Sequence, residues 1–337
     1  MKIEDEIKFI KIKHKYLKEN VIVDRKPAFK FDVSINGSES LGKMINIQAS
    51  SSCQLKCKGC RGSFDDKFLK EVGKNSFIED SIFKTIVKKC IQSGIQYVEL
   101  TPAIGDPFLD KNIENKINYL TSLLEIKLII LTTNLLKFDS ELFKRLLKND
   151  KVFLNVSVYG IDEKTYEDET GRNLFNKFFK NFKTLYTLIK EEEKIKSFVQ
   201  LTNRTSFMLD DDFPKCDVLY LIDLYTRIKN VRLDSSEIFN INRAGSVDRD
   251  DLNFAKGNKD IKRSGLCPHG PGLGGGILPN GDVLFCPFND IYRTGVVGNI
   301  FKESLTDIYK GDKFQEIVEN HNNNIYNGIC AKCNETW

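Results

Sequence analysis

From residue 44 onward, short apolar runs rich in β-branched residues alternate with longer segments whose apolar positions recur at helical spacing. The runs at 44–49, 97–101, 127–132, 152–159, 197–201 and 231–234 predict six strands. Between them, Phe83, Ile86, Val87 and Cys90 form one helical stripe, and Phe175, Phe178, Phe179, Phe182, Leu185 and Ile189 form another. A one-sided stripe packs on a sheet, so the alternation predicts a parallel α/β array with its helices outside. Cys90 lies within its stripe and reads as a small buried hydrophobe. The residues before 44 read as a helix plus an extended segment punctuated by Pro27 and Gly37, and 235–265 as a polar, turn-rich linker. Three parts are therefore expected: an N-terminal extension at 1–43, the α/β portion at 44–235, and a linker with a cysteine-rich module at 236–337.

Composition narrows the classes of function. The chain has 337 residues and 41% hydrophobic content, enough to fill a substantial core. Lys+Arg 51 against Asp+Glu 47 leaves a net charge of +4, which lacks the basic excess that binding a nucleic-acid backbone or an anionic membrane needs. The opening MKIEDEIKFIKIKHK is charged throughout, unlike a secretory signal, and the apolar tract 128–136 is too short to span a bilayer. A cytoplasmic protein is expected, and nine cysteines in that compartment point to metal or catalytic use over disulfides.

Three of those cysteines, Cys53, Cys57 and Cys60, follow the first strand as C-x3-C-x2-C. Taken alone they also suit a zinc knuckle or small buried hydrophobes, although zinc sites usually pair cysteines and close with four ligands. A cubane cluster held by three thiolates keeps one iron open to another molecule. The second strand ends in the run VELTPAIGDPFL, with Gly105, Asp106 and Pro107 at its turn; by itself this is a plain turn after a strand.

Together these residues resemble the radical SAM superfamily, and the second resembles its Gly-Glu-Pro element, with Asp106 where Glu is usual and Gly59 where an aromatic often precedes the third cysteine. The resemblance implies a [4Fe–4S] cluster whose unique iron binds S-adenosylmethionine (SAM), reductive cleavage to a 5'-deoxyadenosyl radical, and an external electron donor such as flavodoxin or ferredoxin. It also implies a partial (β/α)6 barrel. Both signatures then fall at the C-terminal ends of the strands, where parallel α/β barrels gather their active sites. Thr133, Asn134, Ser157 and Gln200 are further strand-end candidates for holding SAM, and each equally suits a capping or turn role.

Cys267, Cys286, Cys330 and Cys333 form a second set, with a hairpin signal at Asn280-Gly281 between the first two. The segment LPNGDVLFCPF and the residues after it resemble the SPASM domain in its shorter four-cysteine form, the twitch domain. That resemblance implies an auxiliary iron–sulfur cluster, expected to be [4Fe–4S]; a structural zinc site is the rival reading. Were all four thiols ligands, no iron would be open to substrate, leaving electron transfer or support of the fold.

Two enzymatic functions follow. One is oxidation of a hydroxylated sugar or aminocyclitol, the auxiliary cluster accepting an electron. The order of features is similar to the twitch-bearing aminocyclitol dehydrogenases, and Asn242-Arg243-Ala244-Gly245 fills the place of their Asn-Arg-Gly-Gly stretch. Arg243 is then a candidate to orient or help deprotonate a substrate hydroxyl; it also reads as a surface loop charge. The other function is modification of a ribosomally made peptide by crosslinking or epimerisation, for which Cys216 is the candidate hydrogen-atom donor. A zinc-binding scaffold would account for the C-terminal cysteines but not for the three-cysteine loop.

Overall fold

The computed structural model describes residues 43–60, 77–100, 104–192, 195–204, 216–234, 263–267, 270, 274–290 and 292–333. In chain order these form β1 (Met44–Ile47), α1 (Asp80–Gln92), β2 (Tyr97–Glu99), a 3-10 turn (Pro107–Leu109), α2 (Ile113–Ser122) and β3 (Leu128–Thr133). Next come α3 (Ser140–Leu147), β4 (Val152–Val158), α4 (Glu163–Thr170), α5 (Phe175–Glu191), β5 (Phe198–Asn203), α6 (Asp217–Thr226) and β6 (Val231–Asp234). The chain closes with β7 (Gly276–Ile277), β8 (Asp282–Leu284), β9 (Val296–Asn299), α7 (Leu305–Lys310), α8 (Asp312–Asn322) and α9 (Ile329–Lys332). The described residues pack into two compact units: 132–234, and 43–131 together with those from 263 on.

In the unit that holds both termini of the described chain, β1 pairs in parallel with β2, and β2 with β3. Ile45, Val98 and Ile129 share one register row and are fully buried. The buried stripe of α1, Phe83, Ile86, Val87 and Cys90, is the one read from the sequence. On its other edge β1 pairs in parallel with β7, which leads into the antiparallel ribbon β7-β8-β9. The C-terminal module thus continues the sheet by strand addition. Its first turn is the expected hairpin: Gly281 N donates to Leu278 O at 2.9 Å, and Gly281 sits at φ +84, a left-handed position that favours glycine.

In the other unit, β4 and β5 pair in parallel in continuous register and β5 pairs with β6. The predicted fifth strand stops at 201, yet β5 runs on to Asn203, because Thr202 and Asn203 pair with Ser157 and Val158. Thr202 shares its sheet face with Gln200 and Ser157, so its polarity marks a polar sheet face rather than a turn. The aromatic stripe of α5 extends into a stack: Tyr166 on Phe178 at 5.4 Å between ring centroids, Phe178 on Phe182 at 5.3 Å, and Phe182 on Tyr225 at 4.7 Å. Tyr225 OH donates to Phe182 O at 2.6 Å, so the buried phenol has a partner. Phe179 is half-buried and stacks on Phe175.

One buried ion pair fastens the segment that follows β2. Lys116 of α2 is buried with its Nζ 2.7 Å from Asp110 Oδ2, just past the 3-10 turn, and 2.9 Å from Asp80 Oδ1 at the start of α1. Asp110 is itself buried. Lys116→Ala, which strands that carboxylate, is expected to destabilise the protein by about 3–5 kcal/mol. Urea denaturation measures this, and a loss below about 1 kcal/mol would show that water screens the pair as at a surface.

Candidate functional site

Past β1 the chain runs through Ser50, Ser51 and Ser52, all buried, into Cys53. Ser52 N donates to Ser50 Oγ at 3.0 Å, and Ser50 forms a bridge with Phe77. Within the loop, Leu55 is buried and donates its N–H to Cys53 Sγ at 3.4 Å, while Cys60 N donates to Cys57 O at 2.9 Å. One apolar anchor and two tight turns therefore hold the three thiols in a short loop, with Cys57 buried and Cys53 and Cys60 half-buried.

The turn after β2 is locked onto this loop's approach. Asp106 N donates to Ser52 O at 2.8 Å, and Gly105, at φ +112, passes so close to Ser50 that a Cβ there would stand 2.4 Å from Ser50 O. Asp106, fully buried, accepts from Phe108 N at 3.0 Å and caps the 3-10 turn that begins with Pro107. A short acidic side chain suits that capping role, which gives a local reason for Asp where the resembled element has Glu. The two sequence signatures thus meet through main-chain contacts.

In the 132–234 unit the remaining candidates have local partners. Thr133 Oγ1 accepts from Leu135 N and Asn134 Oδ1 from Leu136 N, both at 3.0 Å, so each side chain caps the turn after β3. Ser157 is buried beside Thr202 in the register of β4 and β5. Gln200 belongs to a polar ladder across neighbouring strands. Thr202 Oγ1 donates to Asn155 Oδ1 at 2.6 Å, Gln200 Nε2 to Thr202 Oγ1 at 3.0 Å, and Arg232 Nε to Gln200 Oε1 at 2.7 Å. Cys216 is the half-buried N-cap residue of α6, and burial is the main cause that pushes its thiol above the ordinary range. Arg243 lies outside the described residues.

In the C-terminal module Cys267, Cys286 and Cys333 are buried and Cys330 is half-buried. Burial pushes Cys286 up to about 12, and the nearby Cys267 and Cys333 add to the rise although the Asn289 and Phe288 backbone N–H groups oppose it. Burial and the same two neighbours push Cys330 up to about 12. The four thiols therefore lie within electrostatic reach of one another, and deprotonating them together requires a cationic centre. Among the described residues no three His, Cys, Asp or Glu side chains are drawn together as the ligand set of one ion.

Residues the sequence reading did not single out support these thiols. Asn289 N donates to Cys286 Sγ at 3.4 Å and Asn289 Nδ2 to Cys333 Sγ at 3.7 Å, so one side chain bridges two cysteines. Asp290 closes the following loop by accepting from Thr294 N at 2.8 Å and Gly295 N at 2.6 Å. The adjacent Asn-Asp pair right after Cys-Pro-Phe was the available signal, since both residues favour side chain-to-backbone turns. His321 Nδ1 accepts from Cys267 N at 3.3 Å, and burial lowers its imidazole to about 4. Arg263 NH1 donates to Cys330 O at 2.5 Å and lies over the Tyr326 ring.

Two outcomes follow from this geometry. Gly105→Ala should displace the approach to Cys53 and lower iron retention at the N-terminal loop well below that of wild type, as read by iron analysis of protein lacking the C-terminal cysteines; unchanged iron would show that the 2.4 Å contact relaxes without moving the loop. Asn289→Ala removes one N–H···S bond and should lower the potential of a cluster held by the C-terminal thiols, measured by potentiometric titration followed by EPR.

A family model described as SPASM, an iron–sulfur cluster-binding domain, matches residues 267–334. GTP 3',8-cyclase of Synechocystis sp. is 29% identical over 139 residues, covering 41% of this chain and 40% of that protein. The GTP 3',8-cyclase of Mannheimia succiniciproducens is 27% identical over 153 residues, 45% of this chain and 44% of the relative. The chain spans less than half the length of the curated relatives it matches. The crystal structure of BtrN in complex with AdoMet and 2-DOIA superposes with a TM-score of 0.53 at 18% identity, over 88% of this chain and 94% of that one, a likeness of fold. That fold bears out the expected α/β class, a parallel-sheet core followed by a C-terminal cysteine-rich module. No helix among the described residues is long and apolar enough to cross a membrane. Residues 267–334 thus match a SPASM iron–sulfur cluster-binding module, and the chain is similar in sequence to GTP 3',8-cyclases and in fold to BtrN.

Proposed function

We propose that this protein cleaves SAM reductively and oxidises a hydroxylated sugar or an aminocyclitol-like molecule. The observation that carries the reading is the interlock of Gly105 and Asp106 with Ser50 and Ser52 at the entry to the Cys53 loop, within the unit that also holds the four-thiol module. When bound, the groups these thiols hold supply an electron to SAM, a radical that takes one hydrogen atom from the substrate carbon, and an acceptor for one electron. The substrate hydroxyl gives up a proton, so two hydrogens leave in total and a carbonyl results.

The chain's own residues divide the remaining work. Cys53, Cys57 and Cys60 hold the SAM-binding cluster and leave one coordination position open, and the backbone of 105–107 receives the SAM amino group. Cys267, Cys286, Cys330 and Cys333 close around the auxiliary cluster. Arg243 orients the substrate hydroxyl and favours loss of its proton. A flavodoxin- or ferredoxin-type protein delivers the first electron.

The test is 5'-deoxyadenosine release by reconstituted, reduced enzyme against sugars and aminocyclitols, short peptides, and GTP, followed by product mass. Stimulation by a sugar or aminocyclitol with loss of two hydrogens is the expected result. Substituting Cys53, Cys57 or Cys60 by Ala should abolish the release, and its persistence would refute their assignment. Stimulation by peptides alone, with deuterium incorporated from heavy water, would move the assignment to epimerisation. Cys216 is the candidate donor for that reading, a half-buried thiol whose pKa burial raises; retained inversion in Cys216→Ala would exclude it.

A further inference from the structure

The two faces of β1 differ in a way that packing does not explain. Ile45 and Ile47 face the apolar side with Val98 and Ile129, whereas Asn46 and Gln48 alternate onto the other face and are also buried. Among the described residues, Asn46 Oδ1 and Gln48 Nε2 are buried without a hydrogen-bond partner. Buried amides are normally satisfied, so two orphaned atoms on one face of one strand call for a ligand. A β-branched side chain would fill either position more stably.

The orientation of these amides is built in. Asn46 Nδ2 donates to Gly275 O at 3.3 Å, the same carbonyl that receives Asn46 N at 3.2 Å, so the Asn46 amide is tethered and its oxygen is turned away from β7. Gly276, the register partner on the β7 side, has no side chain to cover it, and a Cβ there would reach 3.9 Å from Asn46 Cβ. On the opposite side the register partner is the buried Glu99, which places a carboxyl group in the same row. Two residues along the strand, about 7 Å away, Gln48 offers a donor. Gln48 precedes Cys53 by five residues and leads directly into the segment that Gly105 and Asp106 lock in place.

We propose that Asn46, Gln48 and Glu99 form the recognition patch for the substrate's amino and hydroxyl groups, which makes the substrate an amine-bearing polyol, an aminocyclitol or amino sugar. The inference rests on the reading of the protein as a SAM-dependent oxidase of such molecules and deepens it. An amide oxygen beside a carboxyl group suits a ligand rich in donors, above all an ammonium group. The Gln48 amide suits a hydroxyl, which accepts as well as donates. Positions 44, 46, 48, 97 and 99 of this face include no Lys, Arg or His, so the patch has no cation to offer a phosphate.

Calorimetry and thermal shift on the holoenzyme with SAM and without reductant test this apart from turnover. The probes are glucosamine, 2-deoxystreptamine, glucose and GTP. The two amines should bind and raise Tm, glucose should bind less tightly, and GTP should not compete with them. Gln48→Met and Glu99→Gln should each weaken amine binding by about tenfold or more. Because Gln48 Nε2 has no partner among the described residues, Gln48→Met should leave the ligand-free Tm equal or higher while the ligand-induced shift is lost. Equal amine affinity in wild type and variants, a preference for glucose or GTP, or a clear fall in ligand-free Tm for both Gln48→Met and Gln48→Leu would overturn the patch. A SAM titration of the same preparation keeps the two ideas apart. SAM binding without amine binding sinks the patch alone, and absence of SAM binding to wild type sinks the functional reading and this inference with it.

Discussion

Two backbone hydrogen bonds, Asn46 N to Gly275 O at 3.2 Å and Gln48 N to Ile277 O at 3.0 Å, join the C-terminal module to the strand that delivers the three-cysteine loop. Because side chains alternate with a period of two, a one-residue slip at this pairing would turn Asn46 and Gln48 into the apolar layer and Ile45 and Ile47 out of it. The burial of Ile45 and Ile47 therefore holds the register, and the register holds the module. A third bond, Lys89 Nζ to Ile300 O at 2.6 Å, ties the end of α1 to the turn after β9. The two thiol sets are thereby carried on one sheet, an arrangement in which the position of one constrains the other.

The repeating core and the cysteine spacing were legible because both are local. Strand and helix periods need only a short window, and three thiols within eight residues define a loop wherever it sits. The hairpin at Gly281 was legible for the same reason. The pairing of β7 with β1 was not, because its partners are 230 residues apart and β7 has only the two residues Gly276 and Ile277, too few for any pattern. Lys116 was hidden by its chemistry: in sequence it looks like one more exposed charge, and only the folded chain brings Asp110 and Asp80 to it. Asp106 shows the reverse case. Its departure from Glu looked like a weakness in the motif, and the cap it makes to Phe108 N supplies a local purpose.

Cys90 and Cys286 separate burial from function. Both thiols are pushed well above the ordinary range and in both burial is the main cause, so burial alone does not mark a ligand. The difference lies in the neighbours. Cys286 has Cys267 and Cys333 within electrostatic reach and N–H groups from Asn289 and Phe288 aimed at its sulfur, the environment a thiolate needs. Cys90 sits in the apolar stripe of α1, where a thiolate would gain nothing, and its role is packing.

The same contrast separates the two polar sheet faces. On β4, β5 and β6 the ladder from Asn155 through Thr202 and Gln200 to Arg232 meets its hydrogen-bonding needs strand by strand, so that face can stay polar and ordered with no ligand. β1 differs: Asn46 uses its nitrogen on Gly275 and keeps an oxygen without a partner, and Gln48 keeps a nitrogen, among the described residues. A satisfied network adds rigidity, whereas an unsatisfied one lowers stability until something completes it. The first kind of face holds its own strands still, whereas the unmet groups of the second are the ones assigned above, as a proposal, to substrate recognition.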